Sequence, residues 1–520
     1  MARLLLLVIV LSAFLFETDA ARILGVFPTP CLSHQFVFRA LTQELAKRGH
    51  EVVVVTTHPA FPPGKAPPNL TEINIEEYNY IWKTGLSSKY HRKHAAAIFK
   101  EYLRIFTETL EKQIQLKQFQ KLINNKDKYF DLLILECTIL STLGLTHVFK
   151  APVIQISSFG PINTMYTFFG TSNHPLLYPT SAVQRIYNLT LWEKMENVYT
   201  YFTADYMIYS HETEENEMLQ RHFGSDIAPL SKLFESVNMF YQSIHPVWVN
   251  NPPLPKSILY LGGLHIKPVS ALPQDLQSFL DSSENGVIYV SFGTNVNTSS
   301  LAPEKLEMMA TVFSKMPYEV LWKRDKHIEI ENAKNIKIST WFPQADLLRH
   351  PKIKLFITQG GLQSSQEGIA AGVPMIGIPV YGDQRYNVEN YVRHRIGIQL
   401  NLNTLTEDEF ERSIVDVIND KTYKENIVRF NKIINDEPLS AMERAVWWTE
   451  YVLRHGGTQH LRPLSANLCW HQYFEVELFL LVIVFILCFF SIYALILYRL
   501  AALARSLCTR NVNEKRVKRK

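Results

Sequence analysis

Apolar and polar positions along this chain fall into a repeating unit: a short apolar run, a loop, then apolar residues at three- to four-residue spacing. Ile23–Phe27 reads as a buried strand, followed by the loop Pro28-Thr29-Pro30. Phe36, Ala40, Leu41 and Leu45 then recur at helical spacing, with Lys47 and Arg48 in the last turn and Gly49 as the C-cap. Val52–Val55 is the next strand, which completes a β-α-β unit of the kind that builds parallel sheets covered by helices. Leu132–Leu135 and Val153–Ile156 read as later strands of the same sheet.

Around Asn250-Asn251-Pro252-Pro253-Leu254-Pro255 the composition turns to loop residues, and Gly262-Gly263 and Pro268 follow. A second alternation then begins, with strands at Val287–Val290, Val320–Trp322, Ile336–Ser339, Leu355–Thr358 and Met375–Ile378. The helical stretch Ala441–Leu453 is expected to close it. At 520 residues the chain is too long for one core, and no repeat of solenoid period interrupts the pattern. The expectation is an α/β protein of two Rossmann-like domains facing a cleft. The first spans residues 21–250, the linker 251–284 and the second domain 285–455. Ligands of such sheets bind beyond the carboxyl ends of the strands.

Two uninterrupted apolar segments set the location. Residues 1–20 carry Arg3, a run through Phe16 and a small, polar end at Thr18-Asp19-Ala20, the pattern of a cleavable signal peptide. Leu478 to Tyr498 holds no charge and is long enough to cross a bilayer as one helix after a stalk at 456–477. Trp470, Tyr473 and Tyr498 sit where interfacial aromatics belong. The tail 499–520 is basic, ending Lys515-Arg516-Val517-Lys518-Arg519-Lys520, so the positive-inside rule puts it in the cytosol and the body in the lumen. Arg516 and Lys518 are similar to a dibasic retrieval signal, which points to the endoplasmic reticulum membrane and single-pass type I topology. The formal charge of +4 comes from this tail, so the body gives no reason to expect a nucleic-acid partner. Cys31, Cys137 and Cys469 are too few for a disulfide framework, and no Cys/His spacing suggests a metal. Asn69, Asn188 and Asn297 begin glycosylation sequons.

The unusual residues lie where the second set of strands ends. Trp341-Phe342-Pro343-Gln344 offers a flat aromatic face and an amide. Thr358-Gln359-Gly360-Gly361-Leu362-Gln363-Ser364 follows a strand and opens a helix. Glycines there let backbone approach a ligand, and helix-terminal amides favour a diphosphate. Glu367, one turn into the helix, can accept hydrogen bonds from ribose hydroxyls; Asp383 and Gln384 can serve sugar hydroxyls. Taken singly, Gly-Gly after a strand is a tight turn and a Trp is core; the combination argues for a site.

Trp341 to Gln384 resembles the signature of the UDP-glycosyltransferases, the UDP-glucuronosyltransferase superfamily, and the resemblance extends from signal peptide to basic tail, with an arthropod-like cast. It implies the GT-B fold, with the acceptor on the first domain and the nucleotide sugar on the second. By that resemblance Trp341 stacks on uracil, Gln344 hydrogen-bonds it, Glu367 holds ribose, and Asp383 and Gln384 hold the hexose. Ser291 matches the phosphate-side loop, and Gln363 and Ser364 fall at the helix start facing the diphosphate with Gly360 and Gly361. Most members carry His where this chain has Gln359, which keeps a hydrogen-bond donor but no charge.

The resemblance also implies that His34, in Pro28-Thr29-Pro30-Cys31-Leu32-Ser33-His34, is the base. It lies at a helix start, where a positive charge is disfavoured. Glu136 stands where many relatives have the orienting Asp, with Asp131 at the wrong end of the strand. The implied reaction is an inverting transfer of a hexose, with glucose favoured over glucuronate, from a UDP-sugar to a hydroxyl of a small lipophilic acceptor, as in detoxification. Neither a cofactor nor a metal is expected, since the UDP-sugar is a co-substrate; a homo-oligomer is compatible. The competing reading is a non-catalytic sugar-nucleotide or lipophile carrier on the same fold. Gln359 and Glu136 favour it; the joint presence of His34, Glu367, Asp383 and Gln384 opposes it.

Overall fold

The computed structural model describes residues 20–85, 95–125, 129–160, 163–171, 174–325, 334–466 and 468–517. Residues 1–19 of the expected signal peptide and the last three residues of the tail lie outside the described residues. Residues up to Pro463 form one compact unit, and those from Leu464 form another.

The compact body contains two wholly parallel sheets. The first has seven strands: β1 (Arg22–Phe27), β2 (Glu51–Thr56), β3 (Leu70–Asn74), β4 (Leu132–Glu136), β5 (Val153–Ser157), β6 (Val237–Gln242) and β7 (Ile258–Tyr260), in the order β3-β2-β1-β4-β5-β6-β7. The second has six: β8 (Val287–Ser291), β9 (Glu319–Lys323), β10 (Ile336–Ser339), β11 (Ile353–Thr358), β12 (Met375–Gly377) and β13 (Gly397–Gln399), in the order β10-β9-β8-β11-β12-β13. Central strands such as LLILE and VIYVS are buried along their whole length, as expected where helices cover both faces. Each sheet reverses its winding once, between β1 and β4 and between β8 and β11. A crevice opens at such a reversal because the flanking connections leave to opposite faces.

Helices α1 (Leu32–Lys47), α2 (Ala95–Ile114) and α3 (Leu191–Phe223) belong to the first half. In the second half, α4 (Gln344–Leu348), α5 (Leu362–Ala371) and α6 (Gln384–Arg393) each begin at the carboxyl end of the sheet. Helix α6 sits unusually close to its sheet. Val388 enters a slot where an added Cβ would lie 2.3 Å from Val388 Cγ2 at both Gly360 and Gly377. Gly360 also has φ of 86°, which only glycine adopts freely.

Three features depart from the sequence reading. Strand β7 falls inside the stretch taken as linker, and pairs with β6. Helix α7 (Ala441–His455), expected to close the second domain, instead docks on the first. Its Ala445, Val446 and Val452 share a core with Ile23, Val37 and Leu41, and Tyr241 Oη lies 3.2 Å from Thr449 Oγ1. The reason is complementarity: one face of α7 is apolar, and the outer side of α1 and β6 leaves a matching apolar surface. Part of the expected stalk is also fixed to the body, since Thr458 Oγ1 donates to Asn238 O at 2.8 Å and Arg462 to Val237 O at 2.6 Å.

The second unit contains α8 (Val476–Val517), whose segment Val476–Thr509 holds an 18-residue stretch of mean hydropathy 3.1 and is long and apolar enough to cross a membrane.

The slot around Val388 makes a prediction. Gly377→Ala should destabilise the fold by about 1–3 kcal/mol through overpacking. Val388→Ala should relieve part of that loss, giving a coupling of at least ~0.5 kcal/mol in a double-mutant cycle of denaturant midpoints. Strict additivity would mean that the two positions do not share this contact.

Candidate active site

The two reversals face one another across a cleft of about 1060 Å³. In the first sheet, β1 pairs with β4 so that Val26 lies beside Leu135. The chain leaving β1 therefore turns directly over the end of β4. His34 occupies the first turn of α1, and its Nδ1 lies 3.3 Å from Glu136 Oε1. Glu136 is fully buried, and its other oxygen accepts the Thr29 amide at 3.1 Å. The longer glutamate thus reaches the imidazole from the strand end. His34 lines the cleft, whereas Glu136 lies behind it. Asp131 is at the opposite end of β4, where it accepts the Arg22 amide at 2.7 Å.

Aromatic side chains share the cavity with His34. The Phe159 ring lies 5.5 Å away, and Trp82 stacks on Phe106 at 5.3 Å. Both groups line the same cavity together with Phe61, Phe99 and Met207.

In the second sheet, Ser291 pairs with Thr358, which brings the β8 and β11 loops together. Gly293 and Gly360 both have positive φ. The Gln359 side chain lies against Gly293 so closely that an added Cβ there would sit 2.2 Å from its Nε2. Its Oε1 accepts Thr358 Oγ1 at 3.0 Å. Gly361 caps the start of α5 without a side-chain hydrogen bond, so first-turn amides of α5 face the cleft near Gln363 and Ser364. Gly360 itself lies beneath the lining.

Trp341 is half exposed and lines the cleft; Lys323 Nζ sits 5.7 Å from its ring centroid and donates to Gly293 O at 2.7 Å. Burial pulls the Lys323 ammonium below the usual lysine range. Gln344 is already engaged: its Nε2 donates to Glu367 Oε2 at 2.7 Å and to Ser364 Oγ at 3.0 Å, while its Oε1 accepts Tyr289 Oη at 3.1 Å. Gln384 Oε1 likewise accepts the amides of Val380 and Tyr381 at 2.8 and 3.0 Å, clamping its own loop. Gln363 Nε2 donates across the cleft to Ser158 O.

Several residues outside the sequence expectations complete the site. His265 is almost wholly buried, with Nε2 3.6 Å from Glu367 Oε1. Asn387 receives Trp248 Nε1 at 3.0 Å and donates to Gly360 O and Asp383 Oδ2, both at 2.9 Å. Gln366 donates to Ser243 O at 2.7 Å, and Asn295 Nδ2 reaches Cys31 Sγ at 3.5 Å. Gln366 and Asn387 had only their proximity to the Gly-Gly turn and the Asp383-Gln384 pair as a sequence signal, and His265 and Asn295 had none.

A cleft between two parallel sheets, lined by glycine turns on one side and a carboxylate-backed histidine on the other, fits the architecture of the GT-B glycosyltransferases. Solved structures share that fold at low identity. The calicheamicin glycosyltransferase CalG4 aligns with a TM-score of 0.54 and 15% identity, over 84% of this chain and 99% of its own. The glycosyltransferase of kitacinnamycin gives a TM-score of 0.54 and 17% identity, over 82% and 98%. The chain belongs to the UDP-glucoronosyl and UDP-glucosyl transferase family, which it matches over residues 22–512. It is 33% identical to the ecdysteroid UDP-glucosyltransferase of Spodoptera littoralis nuclear polyhedrosis virus, covering 91% of this chain and 96% of that protein. UDP-glucosyltransferase 2 of Dactylopius coccus is 31% identical over 93% and 94% of the two chains. Human UDP-glucuronosyltransferase 3A1 is 29% identical over 92% and 93%. The protein is therefore a UDP-glycosyltransferase, an enzyme that transfers a sugar from a UDP-sugar.

Asp383 gives this subsection its test. Burial pushes its carboxyl above the ordinary range; the Asn387 amide and nearby His34 offset this only in part. An acid raised in the folded state binds its proton more tightly there than when unfolded. Its contribution to stability therefore falls as pH rises from the ordinary carboxylate value through the native one. Asp383→Asn keeps an acceptor for Asn387 and removes the ionisation. The variant should have a higher denaturant midpoint than the parent at neutral pH, with the gap closing below the ordinary carboxylate range. A variant less stable at neutral pH would contradict this.

Proposed function

We propose that the protein is an inverting UDP-glycosyltransferase that moves a hexose, with glucose favoured, to a hydroxyl of a small lipophilic acceptor. The observation carrying this reading is the His34–Glu136 pair, set among aromatic side chains and facing the glycine turns of the second sheet within one cleft.

In this reading Glu136 fixes the imidazole through Nδ1, leaving Nε2 toward the acceptor. The acceptor oxygen gives its proton to Nε2 as it bonds to the anomeric carbon. The bond from that carbon to the UDP oxygen breaks, and UDP leaves with the electron pair. One displacement inverts the anomeric centre. First-turn amides of α5, with Gln359 and Ser291, receive the diphosphate charge. Trp341 takes the uracil, and Glu367, held by Gln344, takes ribose hydroxyls. Asp383 and the Nε2 of Gln384 take the hexose.

Glucose is supported by the glucosyltransferase names of the insect and viral relatives. Trp82, Phe99 and Phe106 suit a flat apolar acceptor, consistent with conjugation of lipophilic compounds. With a basic tail after an apolar helix, the proposed location is the endoplasmic reticulum membrane with the body luminal. The sequon residues Asn69, Asn188 and Asn297 are all exposed, as glycosylation requires.

His34→Ala should lower turnover by about a hundred- to ten-thousand-fold while leaving UDP affinity nearly unchanged. Glu136→Gln should lose less, in the same direction. Undiminished turnover in His34→Ala, measured with UDP-glucose and a phenolic acceptor, would remove the base from the mechanism.

The donor side separates by calorimetry with UDP. Glu367→Ala should weaken UDP by roughly 1–3 kcal/mol. Asp383→Ala should leave UDP binding intact but lower turnover or change donor preference, because UDP lacks the hexose. Equal loss of UDP affinity in both variants would refute the division between ribose and hexose contacts.

A further inference from the structure

The turn at residues 261–266 follows β7 and belongs to the first lobe. The Leu261 amide donates to Gln242 O at 2.7 Å, and Leu261 and Leu264 are buried in the core that holds Ile23, Met239 and Tyr241. An added Cβ at Gly262 would lie 2.7 Å from His245 N, and Gly263 has φ of 79°, so the turn is fitted closely to the chain leaving β6. Its other side meets α5 of the second lobe. The Gly263 amide donates to Gln366 Oε1 at 3.3 Å, and the next residue of that helix is Glu367.

His265 projects from this turn. Its side chain is only 2% exposed and its ring borders the cleft, yet neither ring nitrogen has a hydrogen-bond partner among the described residues. A buried polar group without a partner is costly, so its place in the fold calls for a reason. Nε2 lies 3.6 Å from Glu367 Oε1, just outside the range of about 2.7–3.2 Å in which an N–H donates to oxygen. The other carboxylate oxygen, Oε2, already accepts Gln344 Nε2 at 2.7 Å. A carboxylate that takes two neighbouring hydroxyls must have both oxygens aimed. Gln344 aims one, and the imidazole stands beside the other.

We propose that His265 is a positioning residue of the donor site. In the tautomer with its proton on Nε2, the ring donates to Glu367 Oε1 once ribose hydroxyls engage the carboxylate, and so fixes the carboxylate plane. The nucleotide-binding carboxylate of the second lobe is then oriented by the first. This rests on the assignment of Glu367 to ribose.

The test is calorimetry on the full chain in detergent, with UDP and with 2′,3′-dideoxy-UDP, which has no ribose hydroxyls. His265→Leu removes the donor, and His265→Asn keeps a polar group too short to reach Glu367. Each should weaken UDP by about ten-fold, the scale of one hydrogen bond to a charged group. His265→Gln, whose amide reaches the place of Nε2, should restore most of the affinity. With 2′,3′-dideoxy-UDP the variants and the parent should bind alike, and His265→Leu combined with Glu367→Ala should bind UDP no more weakly than Glu367→Ala alone. In turnover, the KM for the UDP-sugar should rise with kcat nearly unchanged. UDP affinity equal to the parent's in His265→Leu and His265→Asn would overturn the proposal. So would an equal loss with 2′,3′-dideoxy-UDP, an additive loss in the double variant or no recovery in His265→Gln, since each would leave the ring a packing role only. His265→Asn carries the test alone should the leucine variant not fold. A Glu367→Ala variant with undiminished UDP affinity would sink the ribose assignment itself. The present proposal fails by itself when Glu367→Ala weakens UDP and the His265 variants do not.

Discussion

The parallel pairing of β1 with β4, and of β8 with β11, is the constraint on which the site depends. A parallel sheet must send each connection over one face, and where the winding reverses, two adjacent strand ends are left uncovered. His34 and Glu136 come from one such pair of ends, Ser291 and Gln359 from the other. Neither pair is close in sequence. Each is brought together because backbone hydrogen bonds fix neighbouring strands at sheet spacing, and the glycines at 293 and 360 let loops turn there without a side chain in the way.

The two halves meet through an apolar core in which Ile244, Trp248 and Val249 join Tyr386, Val388 and Tyr391, with side-chain hydrogen bonds beside it. Gln363 to Ser158, Gln366 to Ser243 and Trp248 to Asn387 all cross from one half to the other. These three are neutral hydrogen bonds, each contributing on the order of 1 kcal/mol; beside them Arg185 pairs with the buried Glu389 at 3.3 Å. Asn387 matters beyond its own bond, because its amide also orients Asp383 and the Gly360 carbonyl. A cross-cleft contact and the geometry of the proposed hexose site are therefore coupled through one side chain.

Much of this was legible in the sequence. Long apolar runs such as Val52–Val55 and Leu355–Thr358 can only be central strands, and the Gly-Gly turn and Asp383-Gln384 pair carry a strong pattern. Strands β3, β6, β7 and β13 were not identified. Two of them have three residues, and β6, reading VNMFYQ, carries polar side chains that a propensity argument discounts. The commitment of Gln344, Gln363 and Gln384 to partners within the protein was equally hidden. Residue type shows that an amide can bond, while only the fold shows that Tyr289, Ser158 and Val380 lie within reach. The docking of α7 on the first sheet is a tertiary choice between two apolar surfaces, and periodicity alone cannot make it.

That docking has a consequence for how the protein is made. The second sheet is inserted between β7 and α7, both of which belong to the first. A ribosome releases the chain from its amino terminus, and domains ordinarily fold as they emerge. Here the first lobe cannot complete its core in that order. The surface that Ala445, Val446 and Val452 will cover stays bare until the whole intervening lobe has been synthesised. The nascent protein therefore carries an unfinished apolar wall through most of its translation, and the lobe that starts first is the one that finishes last.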